Sequence, residues 1–534
     1  MTTDRRAVLA GAAAVGLAGL ATTAQAAVSA KKSAKGPVVT TVYGKVRGAE
    51  VDGIKVFKGV RYGADTAPRR FMPALPPRPW TGVVDALAYG AASPQTKIAE
   101  ATSEDCLFLN VWTPAPLDRN GDGRKRPVMV YVHGGAHANG SGSDPLYDGV
   151  NLARRGDVVV VTVNHRLNVF GYAYLASLGG PDLADSGNVG NLDLVMALQW
   201  VRDNIAAFGG DPGNVTAFGQ SGGGGKVVTL MAMPSARGLM HKVATMSGQH
   251  VTAMGPIHAT IRAKAFMAKL GLKPDQVDVL RTLPADQLVA ALKMPDPLER
   301  KGAIIFWSVM DGGVLPRHPF YPDAPRESAH IPMIIGNTHD ETRAFLGGDP
   351  RNFTITWEEL PERLAPELVL DVEPRHVIAR YRALYPNYTP SEVFFAATTA
   401  GRSWPGHLIQ AEQRARIGAP AWMYQLDFGS PIDGGKLRAF HSFDIALVFD
   451  NLDKPGSKTG TGPDARNVAN QMSEAFVTFA RTGDPNCAAI PAWGKYTLPQ
   501  RSTLVINETS AMVDDPRKEE RELFAVAPFL KEGT

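Results

Sequence analysis

The feature that most constrains the fold of this 534-residue chain is a series of short, largely apolar runs separated by helix-like stretches. Val128-Met129-Val130-Tyr131-Val132 and the run 158–163 have strand length and almost no polar residue, the pattern of strands buried on both faces. Runs at 215–218, 243–246 and 332–335 continue the series, and 422–427 is a late strand. Between them, Leu192, Val195, Met196, Gln199 and Trp200 recur with a period of about 3.6, which predicts a helix over 191–208. Strands alternating with helices predict an α/β chain built on a central, mostly parallel sheet. Strands at 38–46, 54–60 and 107–112 precede the series, and the proline-rich stretch 68–79 reads as an extended surface loop. The segments 257–298 and 357–412 are helical and amphipathic, as insertions capping the sheet would be, and 471–482 is a late amphipathic helix. No internal repeat and no linker divides residues 37–534, so one elaborated domain is expected there.

Composition narrows the partners. Hydrophobic residues make up 44% and charged residues 20%, an ordinary globular balance. The net charge of +4 is spread along the chain, which argues against nucleic acid as a partner. Two cysteines, Cys106 and Cys487, cannot make a disulfide framework and are expected as free thiols. Asp4-Arg5-Arg6, an apolar run over 7–21 and Ala24-Gln25-Ala26 have the layout of an export signal. The paired arginines favour the twin-arginine type over residues 1–26, with a disordered lead-in at 27–36. The protein is therefore expected in the periplasm or outside the cell. The apolar run is too short for a permanent membrane span.

The chemistry begins at Gly219-Gln220-Ser221-Gly222-Gly223, between the strand 215–218 and a helical segment starting near Lys226. Gly-x-Ser-x-Gly in that setting is a nucleophile elbow, a turn so tight that the serine hydroxyl projects alone. The helix behind it favours developing negative charge. A serine hydroxyl is a poor nucleophile without a base, and acyl transfer also needs donors aimed at the oxyanion. His133-Gly134-Gly135-Ala136 directly follows the strand 128–132, where backbone N–H groups can face a site unobstructed. Gly134, Gly135, Ala136 and Gly222, the residue after the serine, are the candidate oxyanion donors. The run Gly222–Gly225 before Lys226 is not a phosphate loop: Gln220 stands where its first glycine belongs, and Val227 replaces the Ser or Thr after the lysine. No metal-binding spacing is present, and neither metal nor cofactor is expected.

Taken with Ser103-Glu104-Asp105-Cys106-Leu107-Phe108-Leu109-Asn110-Val111-Trp112, Asn164-His165-Arg166-Leu167, Phe208-Gly209-Gly210-Asp211-Pro212, Gly336-Asn337-Thr338-His339-Asp340-Glu341 and Phe440-His441, these motifs resemble the type-B carboxylesterases, the family that includes the cholinesterases. The resemblance runs from about Pro37 nearly to the C-terminus, with the motifs in family order. It implies the α/β-hydrolase fold and a Ser-Glu-His triad: Ser221 as nucleophile, His441 as base and Glu341 as the acid that orients it. The residues alone leave rivals, Asp340 for the acid and His339 for the base. His133 and His137 are expected to shape the oxyanion loop.

Departures from the family narrow the substrate. Gln220 replaces the usual glutamate, which removes a negative charge beside the histidine. Ala136 replaces a third glycine and keeps its N–H. The loop before Cys106 is short, lacks a tryptophan and has Ser93 near the position of a partner cysteine, so no choline-binding cation–π site is visible. The expected substrate is a small, neutral, fairly apolar ester. The same triad would serve amides or lactones, and a non-catalytic relative would be expected to lack the serine. Phe306, Trp307, Phe345, Phe353 and Trp404 are candidates for the pocket lining, with core packing as the alternative for at least half of them. The sequence leaves oligomeric state open.

Overall fold

In the computed structural model the described residues are 36–96, 98–117, 122–299 and 301–529. The proposed export signal and nearly all of the lead-in lie outside them.

The chain begins with β1 (Val38–Thr41) and β2 (Gly44–Arg47), an antiparallel hairpin where the sequence pattern suggested one strand over 38–46. The Thr41 side chain accepts from the N–H groups of Tyr43 and Gly44, which closes the turn. There follow β3 (Ala49–Val51), β4 (Ile54–Arg61), β5 (Val83–Asp85), β6 (Phe108–Thr113), β7 (Arg126–Val132) and β8 (Val159–Val163). The later strands are β9 (Gly210–Gln220), β10 (Lys242–Met246), β11 (Met333–Thr338), β12 (Ala421–Leu426), β13 (Ser502–Ile506) and β14 (Ala511–Asp514). β1, β2 and β5 form a small sheet; the others form one eleven-stranded sheet in the order β14-β13-β12-β11-β10-β9-β7-β8-β6-β4-β3. From β8 to β13 every neighbouring pair is parallel, and the antiparallel pairs lie at the two flanks.

Every residue of β7, β8, β10, β11 and β12 is buried. That is the expected state of a parallel sheet covered by helices on both faces. One face packs on Val195, Leu198 and Val201 of the helix Val189–Asn204, the other on Met472, Phe476 and Phe479 of the helix Pro463–Thr482. The first helix ends at Asn204 and continues as a tighter turn, Ile205–Phe208, inside the span predicted as helix. β9 starts five residues before the apolar run at 215, because Arg126 of β7 pairs with Gly210.

The segment 257–298 holds the helices Pro256–Lys269 and Ala285–Ala291 around a 3-10 stretch. Their apolar residues, among them Phe266, Met267 and Leu288, pack with Phe170 and Tyr172 into a separate core cluster. Cys106 is buried, Cys487 is partly exposed, and both are free thiols. Among the described residues no helix is long and apolar enough to cross a membrane.

Candidate active site

The predicted residues lie in segments that follow the C-terminal ends of parallel strands β7, β9, β11 and β12. Ser221 follows β9 directly with φ 55° and ψ −129°, a strained conformation for a residue with a side chain. Its N–H is tied to the carbonyl of Met246 at the end of β10, 2.8 Å away. The helix Gly222–Leu230 starts at once. Its first glycine is obligatory: a Cβ on Gly222 would lie 2.1 Å from the Ala136 carbonyl oxygen. Gly223 is equally confined, since its Cβ would lie 2.0 Å from the Val132 carbonyl oxygen. The elbow and the turn after β7 are therefore in backbone contact. Gly134 lies against the Ser221 side chain, Gly135 and Ala136 have φ of 84° and 55°, and Gly222 opens the helix, where N–H groups have no partner within the helix. Gly134 and Gly222 thus border Ser221, and Ala136 meets the Gly222 backbone.

Glu341 and His441 come from turns after β11 and β12. Glu341 is fully buried. One of its oxygens, Oε1, accepts from Ser247 Oγ at 2.6 Å and the Thr338 N–H at 2.9 Å. The other, Oε2, accepts from His441 Nδ1, and the His441 N–H reaches the Glu341 carbonyl at 3.3 Å. Burial pushes the Glu341 carboxyl up, but the electrostatic pull of His441 and the hydrogen bonds from His441 and Ser247 outweigh it, so its pKa lies below the ordinary value. His407, on the helix Trp404–Arg416, lies near enough to feel both charges; burial lowers it to about 4 although Glu341 opposes the shift.

The second ring nitrogen of His441 faces Gln220, whose Nε2 lies 3.2 Å from His441 Nε2. Ser442 Oγ donates to Gln220 Oε1 at 3.1 Å, which orients the amide with its NH₂ toward the ring. His441 therefore carries its proton on Nδ1, toward Glu341, and presents a lone pair on Nε2. Phe345, 45% exposed, packs its ring 4.7 Å from that of His441. Ala136, Ser221, Ser247 and Ser442 are all non-glycine residues with positive φ, so backbone strain is concentrated around one point.

The rivals separate cleanly. Asp340 is engaged by His339 Nδ1 at 3.1 Å and Arg343 Nε at 3.1 Å. Its pKa falls to about 2 although burial opposes, through those neighbours. His133 and His137 are buried in the turn after β7, as expected. Of the five candidate pocket residues, Phe345 borders His441 and Trp307 packs 5.0 Å from His137. Phe306 and Trp404 are core residues, Phe306 against Phe266 and Trp404 under the Arg517 guanidinium, and the partly buried Phe353 packs on Phe395 at the edge of the core. Sequence reasoning missed Ser247, Thr338 and Ser442. A polar residue just past the end of an apolar strand, as Ser247 is in Met246-Ser247-Gly248, was the available signal.

Residues 35–524 match the carboxylesterase family. The chain belongs to that family. It is 35% identical over 504 residues to the para-nitrobenzyl esterase of Bacillus subtilis (strain 168), covering 91% of this chain and 98% of that one. To the phenmedipham hydrolase of Pseudarthrobacter oxydans it is 32% identical over 507 residues, covering 89% and 96%. Among solved structures, a carboxylesterase of Geobacillus stearothermophilus superposes with a TM-score of 0.80 at 38% identity, covering 91% of this chain and all of that one. The fold is the α/β-hydrolase fold, and the protein is a carboxylic ester hydrolase.

Proposed function

We propose that this carboxylesterase cleaves small, neutral esters through an acyl-enzyme formed on Ser221. The observation that carries the reading is the His441 imidazole, with Nδ1–H on a buried carboxylate and a lone pair on Nε2 beside the residue preceding Ser221. That is the tautomer a general base needs. Ser221 Oγ attacks the acyl carbon while its proton passes to His441 Nε2. The Gln220 amide must yield Nε2 to the serine for this step. Glu341 holds the ring and stabilises the imidazolium. The N–H groups of Gly135, Ala136 and Gly222, with Gly134 shaping the approach, receive the oxyanion. His441 then protonates the leaving alcohol, and a water molecule repeats the sequence to release the acid and restore Ser221.

Hydrolysis of a p-nitrophenyl acyl series, from acetate to long chains, tests the assignment in the protein and its Ser221→Ala variant. The variant is expected to lose on the order of 10⁶ in kcat. Equal activity in both proteins would remove Ser221 from the mechanism. Amide and lactone analogues of the best ester, run beside it, rank the leaving groups. The Arg5-Arg6 pair and the apolar run behind it support export by the twin-arginine route, to the periplasm or beyond the cell.

A further inference from the structure

Behind the oxyanion turn lies a buried cation that the mechanism above does not use. Lys226 belongs to the helix Gly222–Leu230 and is 0% exposed. Its Nζ donates to the Ala136 carbonyl at 2.8 Å, with the His133 carbonyl at 3.5 Å. Both acceptors are in the turn that carries the predicted oxyanion donors. Three imidazoles lie near enough to feel the Lys226 charge, His133 and His137 from that turn and His165 from the loop after β8, while the His250 ring lies over Gly225 of the same helix. Burial, and then the Lys226 charge, hold His133, His137 and His165 far below the ordinary histidine value, so these three rings are neutral. Burial displaces Lys226, and among the described residues no carboxylate offsets it. A buried charge without a counter-charge costs stability, and an apolar residue would serve a helix interior better.

We propose that Lys226 is a positioning residue of the oxyanion hole, its ammonium anchoring the Ala136 carbonyl so that the strained turn keeps its donors aimed at the Ser221 acyl adduct. The inference rests on the Ser221 reading above. Its physical basis is local. Gly135 and Ala136 both have positive φ, a conformation the surrounding structure must enforce. The four glycines at 222–225 let the turn sit directly on the helix, but they offer it no side chain to hold. Lys226 is the next residue, and it reaches the turn at the Ala136 and His133 carbonyls. A charge-assisted bond to that carbonyl is stronger than a neutral one, and the positive charge also favours the oxyanion. The anchor is pH-sensitive: burial lowers Lys226 to about 7, so the ammonium gives way to an amine toward alkaline pH. The amine keeps N–H donors but loses the charge.

The test is kcat and KM for p-nitrophenyl acetate across pH in the wild-type protein and in Lys226→Met, with inhibition by an aryl trifluoromethyl ketone, which forms an oxyanion on the serine. Wild type should lose kcat and ketone affinity on the alkaline side. Lys226→Met should lose about tenfold to a hundredfold in kcat at neutral pH with KM little changed, as expected for a lost bond from a charged donor. It should also lose the alkaline limb and melt higher than wild type. A purely structural lysine would instead lower the melting temperature and leave the shape of the pH profile alone. An unchanged kcat with the alkaline limb intact would overturn the proposal while Ser221→Ala remains inactive; an active Ser221→Ala would overturn the mechanism beneath it. Should Lys226→Met fail to fold, Lys226→Gln decides at neutral pH: ketone affinity and kcat equal to wild type in that uncharged variant overturn the charged anchor.

Discussion

Gln220→Glu places a carboxylate beside the His441 imidazole and makes the electrostatics of the site measurable. Gln220 Nε2 lies 3.2 Å from His441 Nε2, and Ser442 holds the amide in that orientation. A carboxylate at this separation attracts the imidazolium by about 1.3 kcal/mol if the site screens like bulk water, and by about 5 kcal/mol at an effective dielectric constant near 20. At about 1.4 kcal/mol per factor of ten, this favours the imidazolium over the neutral ring by about tenfold or more. His441 must be neutral to accept the serine proton, so the acidic limb of kcat/KM moves to higher pH by at least about one unit. The assay is kcat/KM for a neutral ester, p-nitrophenyl acetate, from acidic to alkaline pH at low and high salt. The shift should shrink with salt to the extent that water reaches the pair. An acidic limb that stays where it is in wild type would refute the reasoning, because residue 220 would then not face Nε2 in solution.

Two further outcomes follow from the same region and from the N-terminus. Ser247→Ala removes a 2.6 Å hydrogen bond to Glu341 Oε1 and leaves the Thr338 N–H as that oxygen's remaining partner. A bond to a charged group contributes roughly 1.5–3 kcal/mol, so kcat should fall by up to about a hundredfold with KM little changed. Glu341 is depressed in the folded state, so its stabilisation is present above the unfolded pKa and is lost as pH falls through the folded one. Ser247→Ala should therefore move the acid-unfolding midpoint, followed by circular dichroism, to higher pH; a midpoint at or below wild type would contradict the sign. Changing Arg5 and Arg6 together to Lys should retain the protein in the cytoplasmic fraction, and unaltered export would exclude the twin-arginine route.

Much of the fold was legible because buried strands and amphipathic helices have different periods. The largely apolar runs at 128–132 and 243–246 mark β7 and β10 to within a residue or two. The limits failed where tertiary contacts decide. Pairing with β7 draws β9 back to Gly210, through glycine and proline that no strand pattern would include. The helix after Ser221 begins at Gly222 in spite of four consecutive glycines, since close packing against the oxyanion turn outweighs their poor helix propensity.

The site divides along the same line. Local chemistry in the sequence marked the tight turn at Ser221, because the Gly-x-Ser-x-Gly pattern and its glycine requirement are properties of a few adjacent residues. Motif order singled out Glu341 and His441, which lie 120 and 220 positions beyond the serine. Only the tertiary structure decided which nitrogen of His441 faces Glu341, that Ser247 and Thr338 share the carboxylate, and that Lys226 meets the Ala136 carbonyl. Those facts depend on strands from distant parts of the chain ending side by side. A sequence records which groups are present, whereas a proton's position and a buried charge's neighbours are set by the distances folding creates.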